Sequence, residues 1–318
     1  MALQVNRRKA PGGRVAYVDG RYLPHASAAV HVEDRGLQFA DSVYEVCAVN
    51  GGLLMDESGH LNRLERSLRE LAMELPMQRP ALKAVMRETL RRNRLKDGLL
   101  YLQVTRGAHR RDHMIPDVKR PSLIVTARTI DPQTYEKKRA EGIAVVTVPD
   151  IRWGRCDIKT TGLLPNVLAK TKARQSGAYE AWLVDAKGFI TEGSSTNAWI
   201  VTKENVLVTR DLASNILAGV TRAGIFAALS RAGINAVEER AFTLAEAHAA
   251  REAFISSASG GVLPVVRIDG QWVGDGKPGS TTLRIHSLYR ELSTEEAQSQ
   301  PGTLHSESAV KQRIKRRP

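Results

Sequence analysis

The chain has 318 residues, 42% of them hydrophobic and 25% charged, with a formal net charge of +13, a globular composition with length for two domains or one large one. No run approaches the roughly eighteen apolar residues of a membrane helix, and no apolar segment follows the basic start MALQVNRRKAPGGRVAYVDG, so neither a membrane span nor a secretory signal is read. The charge excess sits at the ends: Arg7, Arg8, Lys9 and Arg14 at one, and Lys311, Arg313, Lys315, Arg316 and Arg317 against Glu307 at the other, supply +8 of it, which reads as solvated tails and argues against a nucleic-acid surface on the body of the protein.

In chain order, VAYVDGRYLP (15–24) reads as a hairpin turning at Asp19-Gly20, and SVYEVCAVNGGLLM (42–55) as a second, turning at Asn50-Gly51-Gly52. Leu61, Leu64, Leu68 and Leu71 share one stripe, so the spacing predicts a helix over 58–74 with Ser58 as its cap. Another helix is expected over 80–94. GLLYLQVTRG (98–107) and PSLIVTARTI (121–130) are strands, and the polar loop AHRRDHMIPDVKR between them suits a binding site held by two strands. DPQTYEKKRAEG (131–142) is polar throughout. A linker is therefore placed at 131–137, between a smaller N-terminal domain (1–130) and a larger C-terminal domain (138–292), with a basic tail expected to be disordered over 293–318.

The second domain reads as strand IAVVTVPD (143–150), a helix over 164–177, and strand YEAWLVD (179–185) turning at Ala186-Lys187-Gly188. Strands STNAWIVT (195–202) and NVLVT (205–209), a helix over 221–232, strand NAVEERAF (235–242) and a helix over 243–250 follow, and EAFISSASGGVLPVVRIDGQWV (252–273) closes the domain with strands. The strands are too clustered for a simple βαβ series, so the fold class is mixed α/β of the α+β kind. Cys47 and Cys156 have no CxxC partner; no disulfide framework and no metal site is read, and a reducing cytoplasm is the expected compartment. Cys156 reads as a small buried hydrophobe.

Chemistry concentrates in DIRWGRCDIKTTGLLPNVLAK (150–170), where Lys159 follows an apolar Ile158 and stands just ahead of a helix. TEGSSTN (191–197) places Glu192 beside a glycine and hydroxyls. AGVTRAGIF (218–226) opens a helix with small residues and Thr221, whose exposed N–H groups and positive dipole end make a phosphate seat. FISSASGGVLP (254–264) is a second hydroxyl-rich loop. A lysine for a Schiff base, a carboxylate for a pyridinium nitrogen and amides for a phosphate are what pyridoxal phosphate needs. Ser/Gly loops also serve as plain turns and a lysine as a solvated charge, and spacing alone leaves both readings open.

The wording of the motifs goes further. The segments EDRGLQFADSVYEV (33–46), GHLNRLERS (59–67), YLQVTRG (101–107), 150–170, YEAWLVDAKGFITEGSSTN (179–197), NILAGVTR (215–222) and ISSASGGVLPV (255–265) resemble, in order, the class IV, fold-type-IV pyridoxal-phosphate aminotransferases, and among them the bacterial D-amino-acid enzymes. The resemblance implies a two-domain architecture, pyridoxal 5'-phosphate as cofactor, a homodimer, and transamination between a D-amino acid and a 2-oxo acid such as 2-oxoglutarate or pyruvate. It makes Lys159 the Schiff-base lysine and proton carrier, and Glu192 the pyridinium partner. It gives the phosphate to Arg63, Val220, Thr221, Ser257 and Ala258. Ser194 and Ser195 would pack under the ring, and Leu217 against its face. Ala258 and Gly260 stand where relatives carry hydroxyls, which removes side-chain donors from one phosphate loop. Tyr44, Arg111 and His113 would hold the substrate carboxylate, as a planar fork with two further donors. The same fold hosts branched-chain aminotransferases and 4-amino-4-deoxychorismate lyases, which remain the alternatives, with a basic nucleic-acid-binding protein as the non-enzyme one.

Overall fold

A computed structural model describes residues 13–117, 120–212 and 216–300; residues 1–12 and 301–318, the bulk of the two basic ends, lie outside them. Up to Ile130 the elements are β1 (Val15–Val18), β2 (Arg21–Pro24), α1 (Arg35–Phe39), β3 (Ser42–Asn50), β4 (Leu53–Leu54), α2 (Glu57–Glu70), α3 (Arg79–Asn93), β5 (Gly98–Thr105) and β6 (Ser122–Thr129). After it come α4 (Pro132–Glu141), β7 (Ile143–Pro149), α5 (Leu164–Gln175), β8 (Glu180–Val184), β9 (Phe189–Gly193), β10 (Asn197–Val201), β11 (Leu207–Thr209), α6 (Val220–Arg231), β12 (Val237–Glu239), β13 (Phe242–Thr243), α7 (Leu244–Ala249), β14 (Glu252–Ser257), β15 (Gly261–Ile268), β16 (Gln271–Trp272) and α8 (Ser280–Ser299).

The chain forms two compact units. One takes the described residues up to Gly52, Leu61–Ile130 and Thr160–Gly162; the other takes Leu53–His60, Asp131–Lys159 and the described residues from Leu163 on. The break after Ile130 is thus joined by two short exchanges, 53–60 and 160–162, that contiguous domains would not have.

In the first unit the strands run β2-β1-β6-β5-β3 with every neighbour antiparallel. Asp19 and Gly20 both have positive φ, 43° and 86°, the conformation a two-residue hairpin turn needs. Leu61, Leu64 and Leu68 of α2 and Leu82, Met86 and Leu90 of α3 are buried. Cys47, Leu100, Leu102 and Val104 point inward on β3 and β5, and alternation turns Tyr44, Tyr101 and Gln103 to the half-buried opposite side. Helix α2 begins at Glu57, so Ser58 lies inside its first turn rather than capping it.

The second unit is built on the order β12-β11-β10-β14-β15-β7-β8-β9-β13, with β16 paired to β15. Strands β15, β7 and β8 run parallel, as do β11 and β12. Trp182 and Phe242 anchor one apolar cluster, and Trp199 and Phe254, stacked at 5.3 Å, anchor another that includes Ile225 and Leu229 of α6 and Ile285 and Tyr289 of α8. Among the described residues no helix is long and apolar enough to cross a membrane.

Three sequence expectations are corrected here. The linker at 131–137 is helix α4: Asp131 caps it by accepting from the Gln133 N–H at 3.0 Å, Pro132 occupies the first turn, and buried Arg139 ties it down. The tail does not begin at 293, because α8 runs to Ser299 with Ser293 and Ala297 buried on its inner stripe. The strand expected over 235–242 is two strands with different partners, β12 beside β11 and β13 beside β9.

Candidate active site

In the second unit, β9 follows a turn at Gly188 (φ 83°) and delivers Glu192, 5% exposed, to a dense polar cluster. The Arg152 guanidinium donates to Glu192 through Nη1 and to Asp150 through Nε (2.9 Å) and Nη2 (2.7 Å). Asn197 Nδ2 donates to Glu192 at 3.1 Å, and the Leu217 N–H at 3.2 Å. Asn197 also donates to the Leu217 carbonyl at 3.1 Å, fixing the loop ahead of α6. Lys159, half-buried between β7 and α5, lies within electrostatic reach of Glu192. Burial pushes the Glu192 carboxyl up, against the pull of Arg152, the Leu217 amide and Lys159. Burial also raises Asp150, but the Arg152 guanidinium beside it wins and holds that carboxyl below its ordinary value. Cys156, three residues before Lys159, donates its thiol to the Trp153 carbonyl and is pushed by burial up to about 11, so it stays a neutral thiol.

Helix α6 begins at Val220 with no side-chain cap, leaving the N–H groups of its first turn without intrahelical acceptors. Thr221 is 2% exposed and its Oγ1 has no hydrogen-bond partner, an unusual state for a buried hydroxyl. After β14, Ser257 Oγ accepts from the Gly260 N–H at 3.2 Å and faces Ser259 Oγ at 3.4 Å. Ala258 follows without a hydroxyl. Arg139 of α4 braces this loop from within, donating to the carbonyls of Gly260 (3.3 Å) and Val262 (3.4 Å). The hydroxyls of Ser194 and Ser195 turn to one carboxylate. Both donate to buried Glu180, Ser195 at 2.9 Å, and Lys170 closes the same carboxylate at 3.0 Å.

In the first unit, Arg63 forms a bidentate pair with Glu45, 2.8 Å in each arm. Burial works against its charge, and Glu45 more than offsets this. Tyr44 stacks on Tyr101, ring centroids 5.6 Å apart. Arg111 and His113 come together on one ring: the guanidinium lies 4.7 Å from the Phe39 centroid and the imidazole 5.6 Å from it. Arg35 fixes their loop by donating to the Asp112 carbonyl at 2.6 Å while bonding Asp41 at 2.8 Å. The Asp112 side chain turns away to accept from the Met114 N–H.

Sequence reasoning missed Arg152, Asn197, Glu180 and Arg139. The only available signal was position, since Arg152, Asn197 and Glu180 stand inside segments already singled out. Arg139 gave none, because its carbonyl partners are 121 and 123 residues away.

These residues fit a cofactor with an anionic end and a basic ring nitrogen: an uncapped helix start with an unpaired buried hydroxyl for the first, a deeply buried carboxyl beside a lysine for the second. Residues 42–268 match the family described as amino-transferase class IV. The D-alanine aminotransferase of Bacillus licheniformis is 39% identical over 272 residues, 86% of this chain and 94% of that protein. The fold matches the crystal structure of the branched-chain amino acid aminotransferase of Escherichia coli with a TM-score of 0.82 at 24% identity, over 91% of this chain and 98% of that one. It also matches the PLP-bound form of a hypothetical aminotransferase from Mycobacterium tuberculosis, TM-score 0.78 at 21% identity, over 89% of this chain and 99% of that one.

Proposed function

This chain belongs to the class IV aminotransferases, and on that premise we propose that it exchanges an amino group between a D-amino acid, D-alanine among them, and a 2-oxo acid such as pyruvate or 2-oxoglutarate. The observation that carries the reading is Lys159 within electrostatic reach of the buried, Arg152-held Glu192. The relatives named for D-alanine aminotransfer support the substrate class. Pyridoxal 5'-phosphate, the cofactor of these enzymes, supplies the electron sink for charge developed at the substrate α-carbon.

Lys159 would hold the cofactor covalently and would carry the proton at the substrate α-carbon. Glu192 would pair, as a carboxylate, with the protonated ring nitrogen; burial works against that charge, and Arg152, the Leu217 N–H and Lys159 pull toward it. The amides of Val220, Thr221, Ser257 and Ala258, the Thr221 hydroxyl and Arg63 are assigned to the phosphate. Leu217 is assigned to the ring face, and Ser194 and Ser195 contribute backbone rather than hydroxyls there. Arg111, His113 and Tyr44 are assigned to the substrate carboxylate. Charge paired with that carboxylate on one side of the α-carbon selects a D-amino acid, because the L-isomer would set its side chain against the guanidinium.

A homodimer is part of the proposal. The second unit leaves Ile151, Trp153, Leu164, Val167 and Leu168 exposed on and ahead of α5, more apolar surface in one stretch than a monomer usually leaves in water. Two free cysteines, Cys47 and Cys156, fit a reducing cytoplasm.

The test is a coupled assay over D- and L-amino acids, with borohydride reduction of the holoenzyme followed by peptide mapping. D-alanine turnover and label on Lys159 are expected, and Lys159→Ala should lose turnover by several orders of magnitude while remaining folded. Label on another lysine overturns the site assignment, and a preference for L-leucine over D-alanine overturns the substrate class.

A further inference from the structure

The loop between β14 and β15 is short of side-chain donors, and α4 holds it from behind. Ser257 and Gly261 are its last ladder pair, so Ala258, Ser259 and Gly260 form the tip. Only Ser257 and Ser259 carry hydroxyls there, and Ser257 Oγ is engaged by the Gly260 N–H at 3.2 Å. The N–H groups of Ala258 and Ser259 meet no acceptor among the described residues, so an anion at the tip would be held by backbone. Two glycines turn the chain, and Gly261 sits in the left-handed region at φ 63°. A backbone this free loses much entropy when its amides are fixed on a ligand.

Helix α4 supplies a restraint on that freedom. Tyr135 and Arg139, one turn apart, both reach the loop. A Cβ on Gly260 would come within 3.3 Å of Tyr135 Cε1 and 3.2 Å of Leu263 Cδ1, so Gly260 is closed in on that side. Arg139, 9% exposed, donates from Nη2 to the Gly260 carbonyl at 3.3 Å and from Nε to the Val262 carbonyl at 3.4 Å. Neither bond is short, but the planar fork makes both at once, on the two sides of Gly261. Nη1 lies 2.9 Å from Glu136, whose side chain is 57% exposed. A guanidinium taken out of water beside one carboxylate that stays largely in it is a costly brace, and an aliphatic side chain would serve packing alone. His286 stands beside Gly261, its Nδ1 3.7 Å from where a Cβ would be. Burial, with Arg139 and Arg290, pushes its imidazole down to about 4, so it is neutral and adds no charge there.

We propose that Arg139 is a positioning residue for the second phosphate loop: by fastening the Gly260 and Val262 carbonyls to α4, it holds the amides of the tip in place for the phosphate and makes up for the hydroxyls that Ala258 and Gly260 lack. The inference rests on the pyridoxal-phosphate reading of the site. The tip is tied at both ends, by the ladder and Ser257 Oγ at one and by Arg139 at the other. Ala258 and Ser259 lie between these ties, so their N–H groups are ordered before a ligand arrives, which lowers the entropy a phosphate has to remove. A methionine in place of Arg139 keeps the stem and releases both carbonyls. The loss then falls on the phosphate end of the cofactor and spares the ring.

The experiment strips the holoenzyme of cofactor and titrates the full chain, followed by absorbance, with pyridoxal 5'-phosphate and with pyridoxal, which lacks the phosphate. The ratio of the two affinities isolates the share of the phosphate. Arg139→Met should lower that ratio about tenfold, the scale of two weak hydrogen bonds. Arg139→Lys, which keeps the charge but not the fork, should lower it severalfold. Adding Ala258→Ser to Arg139→Met should bring the ratio back to within about threefold of wild type, because a hydroxyl at the tip gives the phosphate a donor of its own. A merely structural role predicts equal loss for both ligands and no recovery from the serine. If Arg139→Met does not fold, Arg139→Lys carries both arms of the test. An unchanged ratio in the folded variant, equal loss for both ligands, or a double variant without recovery overturns the inference. Wild-type protein that binds pyridoxal 5'-phosphate no better than pyridoxal overturns the functional reading of the site itself, whereas a wild-type preference for the phosphate that the variants leave unchanged overturns only the role of Arg139.

Discussion

Replacing Arg152 with methionine should expose how the carboxylates around it are kept in their charge states. Arg152 is 6% exposed, Glu192 6% and Asp150 11% at the side chain, and the guanidinium serves both acids. Methionine fills the aliphatic volume and removes the charge, leaving Glu192 with the Asn197 amide and the Leu217 N–H. Removing one partner from a buried ion pair costs about 3–5 kcal/mol, a fall of roughly 6–20 °C in unfolding midpoint at ~2–4 °C per kcal/mol. The loss should depend on pH with a definite sign. Asp150 has a lowered pKa in the folded protein, so its share of stability is present above the ordinary carboxylate value and lost as pH falls through the folded one. Glu192 has a raised pKa, which methionine raises further, so folding is favoured below its ordinary value and that advantage is lost as pH rises through the folded one. The Asp150 part of the variant's deficit therefore grows as pH rises through its lowered folded value, below the ordinary carboxylate range, and the Glu192 part grows above that range. Thermal unfolding of wild type, Arg152→Met and Arg152→Lys on both sides of that range checks this, with lysine recovering part of the loss. A deficit that is flat with pH, or below ~1 kcal/mol, would refute the reasoning.

Two further outcomes are expected. Arg111→Ala should lower kcat/KM for D-alanine by about ten- to a hundred-and-fifty-fold, the cost of one charge-assisted bond of ~1.5–3 kcal/mol, while primary amines without a carboxylate lose little; steady-state kinetics on both substrates decide it, and unchanged D-alanine kinetics reject the assignment. Glu252→Gln should cost about 2 kcal/mol near neutral pH, because Glu252 caps α8 by accepting from the N–H groups of Thr281 (3.1 Å) and Thr282 (2.8 Å) and from the Thr282 hydroxyl (2.8 Å); burial would raise this carboxyl but those donors hold it low, so wild type and variant should converge as pH falls through the folded Glu252 value, and a gap that persists in acid would count against the cap.

How much of this could be read from sequence follows the range of the interaction that fixes each element. The Asp19-Gly20 hairpin and the leucine stripe of α2 are set by neighbours a few positions apart, and local pattern reads them. Helix α8 has no capping side chain of its own; its cap is Glu252, 29 and 30 residues upstream, so nothing in STTLRIHS announces a start. Helix α4 is polar along most of its length, and Arg139 and Tyr135 secure it by contacts to the 260–263 loop that only the folded sheet supplies. The strand read over 235–242 divides after Arg240, whose N–H still donates to the Thr209 carbonyl of β11 while Phe242 pairs with Ile190 of β9. The same rule governs the site. Lys159 and Glu192 stand in motifs whose residue types name their chemistry, whereas the groups that set the working state of those motifs are recruited across the fold. Arg139, 121 residues upstream of Gly260, braces a loop short of hydroxyls, and Asp56 accepts from the hydroxyl of Tyr289, 233 residues later. A motif therefore identifies the reacting groups, and the bracing of the loops beside them depends on partners that the motif does not contain.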